Sequence, residues 1–212
     1  MKLTQPYFTI PLRLALATLL LAGLYAVSVV WRVSMAEYRY LGRSQLLPLS
    51  LSPRPFEGAP VPESFGQKTY RFKAPDGRTI TVWSQKINGF QHVYGSGLTC
   101  LELGDSLSEQ LFCINELIEL AFDGKAQKAI DRLERNKDLA NNGLGRSIAL
   151  SIKKQGLSCS GADEALMQEC ARAAESSPRF YGHCLEPRVK SIANEDLGSS
   201  WFQQLVKVLD PQ

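Results

Sequence analysis

The sequence predicts a mainly α-helical protein, with an N-terminal transmembrane helix followed by a helical domain that carries one small β-hairpin. Three observations predict it. Residues 14–31, LALATLLLAGLYAVSVVW, run for 18 residues without a charge. From Asn88 onward apolar side chains recur at three- and four-residue spacing, the period of a helix with one buried face. Between these regions two alternating β-rich runs, KTYRFKA and RTITVWS, flank Pro75-Asp76-Gly77, in which Pro presets φ and Gly accepts a positive one.

The apolar run comes first. At ~1.5 Å per residue it spans roughly 27 Å, close to the ~30 Å hydrocarbon layer of a bilayer. Arg13 and Arg32 bracket it and Trp31 lies at interfacial depth, a position aromatic rings favour. Two readings remain open. One is an uncleaved signal anchor, with residues 1–13 a cytoplasmic tail, 14–31 the span and 32–68 a juxtamembrane and Pro-rich linker. The other is a cleaved signal peptide, with Ala26-Val27-Ser28 as the cut. The anchor is preferred, because the apolar run continues through Val29-Val30-Trp31 past that cut. Both export the body. Basic residues nearly balance across the span, so a cytoplasmic N-terminus rests on the brevity of the first tail. Ala22 and Ala26 form a small-xxx-small pair, which leaves homodimerisation through the span open.

Residues 69–212 form the exported domain, with the hairpin over 69–84. A first helix is expected from Asn88 to Gly104. Ser106 with Glu109 reads as a capping box opening a second helix. The Leu107, Leu111, Ile114, Leu117, Ile118 and Ala121 of that helix predict a buried face. A third starts near Lys125 and runs past Gly143 and Gly145 to about Lys154. A fourth covers Ala162–Glu175 and stops before Pro178. Trp201–Leu209 is a short amphipathic helix suited to docking on the core. The Gly95-Ser96-Gly97 step suits close helix packing.

Charge narrows the function. The net charge is +3, but residues 1–43 alone carry +4, so the remaining 169 residues sum to −1. Such a body lacks the clustered Lys and Arg of a nucleic-acid binder. Five cysteines (Cys100, Cys113, Cys159, Cys170, Cys184) fit an oxidising compartment. Cys184 with Cys159 or Cys170 is the pairing to test, and buried free thiols are the equal alternative. With only His92 and His183 and no CxxC, a structural zinc site is not indicated. Phosphate-binding glycine loops, GxSxG and HExxH are also missing.

Polar side chains set among apolar helix faces mark the candidate site. They are His92 on the first helix, Glu116 on the second, and Asp138, Asn141, Asn142 and Arg146 on the third. Asp138, Asn142 and Arg146 are spaced i, i+4, i+8 and share one face. In a catalytic reading His92, Glu116 and Asp138 supply acid–base groups, while Asn141, Asn142 and Arg146 bind substrate, the guanidinium holding a carboxylate or phosphate. In the structural reading the same residues form a solvated face or a network fixing helix registry.

These residues carry a resemblance. The succession GFQHVYGSGLTCLELG, FCINELIEL and KDLANNGLGRSIA resembles an uncharacterised bacterial helical domain of some cell-wall-associated and polymorphic-toxin-like proteins. Its pattern is an arginine-histidine helix, a helix with an acidic-histidine or histidine-glutamate pair, then a DLxNNxxGR helix. The resemblance covers Gly89–Ala149 and implies His92, Glu116, Asp138, Asn141, Asn142, Gly145 and Arg146 as the site. Gln91 replaces the pattern's arginine and Asn115 its histidine.

The expectation is a single-pass inner-membrane protein of a bacterial envelope. Its helical domain is extracytoplasmic, in a binding or scaffold role, with the lipid bilayer and an envelope protein as partners. The alternative is a membrane-tethered hydrolase acting on an envelope polymer or lipid.

Overall fold

A computed structural model describes residues 9–41, 69–73, 79–83, 86–122, 128–182, 187–192 and 197–209. The Pro-rich stretch 44–68, His183, Cys184 and the proposed Cys184 disulfide lie outside the described residues. The architecture is mainly helical.

Helix α1 (Thr9–Leu41) is long and apolar enough over Leu12–Glu37 to cross a membrane. It does not end at Trp31. Leu12, Leu19, Leu20 and Leu24 are all more than half exposed, whereas Val33 and Ala36 are buried in the core of the domain. The same helix is therefore a bare apolar rod at one end and a core element at the other. Tyr25 donates a hydrogen bond to Glu102 at 2.8 Å, and Arg32 pairs with Glu102 and, at 2.6 Å, with Asp163. Arg32, expected among the headgroups, is thus held by two carboxylates of the domain.

Helix α2 (Lys86–Leu103) is the hub. Every residue from Val93 to Cys100 is buried, because the helix is packed on several sides, by α1, α3, α4 and α5. It crosses α4 (Lys128–Lys153) closely. A Cβ on Gly145 would collide with the carbonyl of Val93 and with Ser96 Oγ, and one on Gly97 would come 3.0 Å from the carbonyl oxygen of Gly145. Glycine at both positions lets the two backbones approach. Ser96 secures the crossing by donating to the carbonyl of Asn142 at 2.9 Å.

Helix α3 (Asp105–Phe122) follows after Gly104, whose φ of 91° ends α2 and whose carbonyl accepts from the Ser108 amide. Ser106 therefore lies inside the first turn, and the capping box is not formed. The predicted buried face of α3 is also corrected. Leu107, Leu111, Ile114 and Ile118 are 42–52% exposed, while Ser108, Cys113 and Glu116 are buried. Ser108 donates to the carbonyl of Ser96 at 2.8 Å, so a polar contact sets the rotation of the helix and turns its leucines outward.

Helix α5 (Cys159–Ser176) is capped by Ser158, whose side chain accepts from the Gly161 amide. It packs Leu166, Met167 and Cys170 against α2 and α4. After the short α6 (Pro187–Lys190), α7 (Ser200–Leu209) docks on α3 as expected. Phe202 is buried with Cys113 and Leu139 in a second, smaller core. Two extended segments, β1 (Thr69–Lys73) and β2 (Thr79–Trp83), pair antiparallel with Arg71 opposite Thr81. A two-stranded ribbon with no third strand among the described residues is marginal, and the hairpin expected over 69–84 is not supported as an element of the fold. Cys100, Cys113 and Cys170 are buried free thiols and Cys159 an exposed one.

Candidate functional site

Three helices deliver three of the predicted residues to one point. His92 of α2, Glu116 of α3 and Asp138 of α4 place one ligand atom each within 4.8 Å of one another. The two carboxylates are buried, and the His92 side chain is only 11% exposed. His92 Nδ1 lies 3.1 Å from Asn142 Oδ1 and its Nε2 3.3 Å from Asp138 Oδ1. An amide oxygen only accepts, so Nδ1 carries the proton and Nε2 faces Asp138. Phe112 of α3 walls the imidazole, with ring centroids 6.4 Å apart.

The sequence did not point to Lys137, which is 1% exposed. Its Nζ lies 3.2 Å from Asp138 Oδ1, donates to Asn88 Oδ1 at 2.7 Å and pairs with Glu134. Burial opposes its charge, but Asp138 and Glu134 outweigh burial and hold its pKa above the ordinary lysine value. In the sequence Lys137 stands within the charge-rich run LERNKD, where nothing separates a buried lysine from a solvated one.

The electrostatics are unbalanced. Desolvation, then the nearby Asp138 charge, pushes the Glu116 carboxyl well above the usual carboxylate range. Asp138 is also raised by its burial, against the pull of His92 and Lys137. Glu116 Oε1 and Asn142 Nδ2 are buried without a hydrogen-bond partner. Asp138 Oδ1 is in ion-pair reach of two nitrogens but aligned for a hydrogen bond with neither. Such orphan groups each forfeit about 1–3 kcal/mol when nothing satisfies them, so stability alone does not explain their placement.

The other candidates lie elsewhere. Asn141 donates from Nδ2 to the carbonyl of Tyr181 and accepts the Tyr181 amide at Oδ1, both at 3.0 Å. It clamps the chain after α5 and does not reach the cluster. Arg146, two turns beyond Asp138, donates from Nε to Asp105 at 2.9 Å and lies 3.7 Å from Glu109. The shared helical face is real, but only its first two members, Asp138 and Asn142, meet His92.

Beside the cluster a cleft of about 450 Å³ opens between α3, α4 and the segments after α5, with Glu109, Phe112, Asn142, Arg146, Arg179 and Tyr181 in its lining. Asn142 belongs to both places, since its oxygen holds His92 while its residue lines the cleft. Arg179 reaches in and lies 3.4 Å from Ser147 Oγ. It was missed because a lone arginine after Pro178 carries no pattern.

Comparison of the chain with protein-family models, with curated proteins and with solved structures gives no match.

Proposed function

We propose that the chain is a single-pass inner-membrane protein of a bacterial envelope whose extracytoplasmic helical domain binds an anionic group in the cleft between α3 and α4. The observation that carries this reading is the lining of the cleft. Two guanidinium groups, Arg146 and Arg179, belong to that lining against one carboxylate, Glu109. Guanidinium forks are the donors that a carboxylate or phosphate takes up. The likeness of residues 89–149 to the bacterial DLxNNxxGR domain supports the same location for the site.

The membrane half of the proposal is supported by the exposed apolar end of α1 and by the outward leucines of α3. Leu103, at the end of α2, is next to Glu102, which is bonded to Tyr25 and Arg32 of α1. The apolar side of α3 starts from there, so lipid is the occupant it suits. A protease added to spheroplasts is expected to digest the domain; protection with an intact cytoplasm overturns the topology. For the cleft, full-length protein in detergent is melted at constant ionic strength with phosphate or with chloride. A ligand at 100 times its Kd adds about 2.7 kcal/mol, a shift of several degrees. The shift is expected to vanish in Arg179→Gln, and its absence from the wild type overturns the reading.

A membrane-tethered hydrolase, acting on an envelope polymer or lipid, is the second reading. It is favoured by the convergence of His92, Glu116 and Asp138. It requires substrate to reach His92 past Phe112 and Asn142. Release of water-soluble product from phospholipid vesicles or cell-wall fragments, abolished in His92→Gln, is the outcome that would promote it.

A further inference from the structure

We infer that His92, Glu116 and Asp138 form a binding site for one divalent transition-metal ion of the zinc class, distinct from the anion-binding cleft. The proposal goes beyond the function given above and does not depend on it.

The geometry of the imidazole is the first argument. Asn142 Oδ1 fixes the proton on Nδ1, which leaves Nε2 with a lone pair and an oxygen of Asp138 3.3 Å away. Two lone pairs in that position need a cation or a proton between them. Ligands each ~2.1 Å from a tetrahedral zinc ion stand roughly 3.4 Å apart, and the observed separation fits. Asn142 also plays the part that outer-shell groups play at metal-bound histidines, holding the far nitrogen so that the near one faces the ion.

The second argument is independent of the first. Glu116, 2% exposed, brings an oxygen without a hydrogen-bond partner to the same point. Lys137 is held by Asn88 and Glu134 and stands 3.2 Å from Asp138 Oδ1, so it orients that carboxylate.

The donor set selects the ion. One imidazole nitrogen with two carboxylate oxygens suits zinc or manganese better than calcium, which takes six to eight oxygens. Three protein ligands leave a fourth tetrahedral position open. Phe112 and Asn142 flank His92 and also line the cleft, so these two side chains stand between the cluster and solvent.

The test uses the full chain in detergent, stripped with a chelator and then given Zn²⁺ and desalted. One zinc per chain by elemental analysis is expected, with a melting temperature raised by several degrees. Glu116→Gln and His92→Gln keep side-chain size and are expected to weaken zinc at least tenfold. Cys159→Ser, a change remote from the site, is expected to leave zinc unaltered. Cobalt reports the ligands even if a variant folds poorly: visible d–d absorption without a near-ultraviolet thiolate band is expected in the wild type. Substoichiometric zinc, a thiolate band, or undiminished affinity in both glutamine variants would each overturn the site.

Discussion

Asn141 and Asn142 are neighbours in sequence and opposites in duty, and the difference is measurable. Both amide groups of Asn141 are spent on the backbone of Tyr181. Asn141→Ala removes two hydrogen bonds and strands the half-buried N–H and C=O of Tyr181, so denaturant unfolding is expected to show a loss of about 1–2 kcal/mol. Asn142 has one orphan amide, and Asn142→Ala is expected to lose less than half as much while freeing the His92 ring it holds and so weakening zinc at the cluster. Lys137 is the third case. Lys137→Met leaves Asp138 without its nearest fixed cation, and breaking a buried pair from one side removes about 3–5 kcal/mol. The sequence made all of these residues visible as polar positions within helices. It did not separate them by role, because role depends on which neighbouring helix each side chain meets.

At the scale of the elements, the helices of the domain were legible from periodicity and from Gly104, Gly156 and Pro178. The rotation of α3 was not. Its Leu107, Leu111, Ile114 and Ile118 make an apolar stripe that predicts burial, yet the contact of Ser108 with Ser96 turns Cys113 and Glu116 inward instead. Periodicity reports that a face is apolar, not what covers it. Leu111→Asp and Ile114→Asp are therefore expected to leave stability in detergent within about 0.5 kcal/mol of the wild type, as exposed positions do. A loss of several kcal/mol from either would show that the stripe is buried within the protein. The α2–α4 crossing gives the opposite prediction. Gly145→Ala drives a methyl group into the Val93 carbonyl, and overpacking of this kind is expected to remove about 1–3 kcal/mol or more, read from thermal melting. The thiols report the same packing. Among Cys100, Cys113, Cys159 and Cys170, only Cys159 is exposed, so of these four a maleimide is expected to label Cys159 and spare the others before denaturant is added.

Across the whole molecule, the main departure from expectation is that the apolar helix α1 and the domain are not separable parts. Val33 and Ala36 sit in the same core as Phe90, Leu98 and Leu166. A chain beginning after Leu41 loses them, and burying one valine side chain alone is worth about 1.5–3 kcal/mol. Such a truncation is expected to melt well below the full chain in detergent, whereas one beginning at Val27 is expected to keep most of its stability. Equal melting temperatures for the two truncations would show that α1 is dispensable to the fold.

The continuity of α1 has a mechanical consequence. Its 33 residues make a rod about 50 Å long, clamped at one end by Arg32, Glu102 and Asp163 and free at the other. The stretch ahead of Tyr25, from Leu12 to Leu24, measures roughly 20 Å, less than the ~30 Å of hydrocarbon it would have to cross. Were the proposed span seated in a bilayer of ordinary thickness, the clamp would stand at its surface and the domain would press against the lipid. With α1 unbroken from its apolar end into the core, a change in the tilt of the rod would swing α2 and α5 through the same angle, and the proposed membrane placement would set the attitude of the cleft.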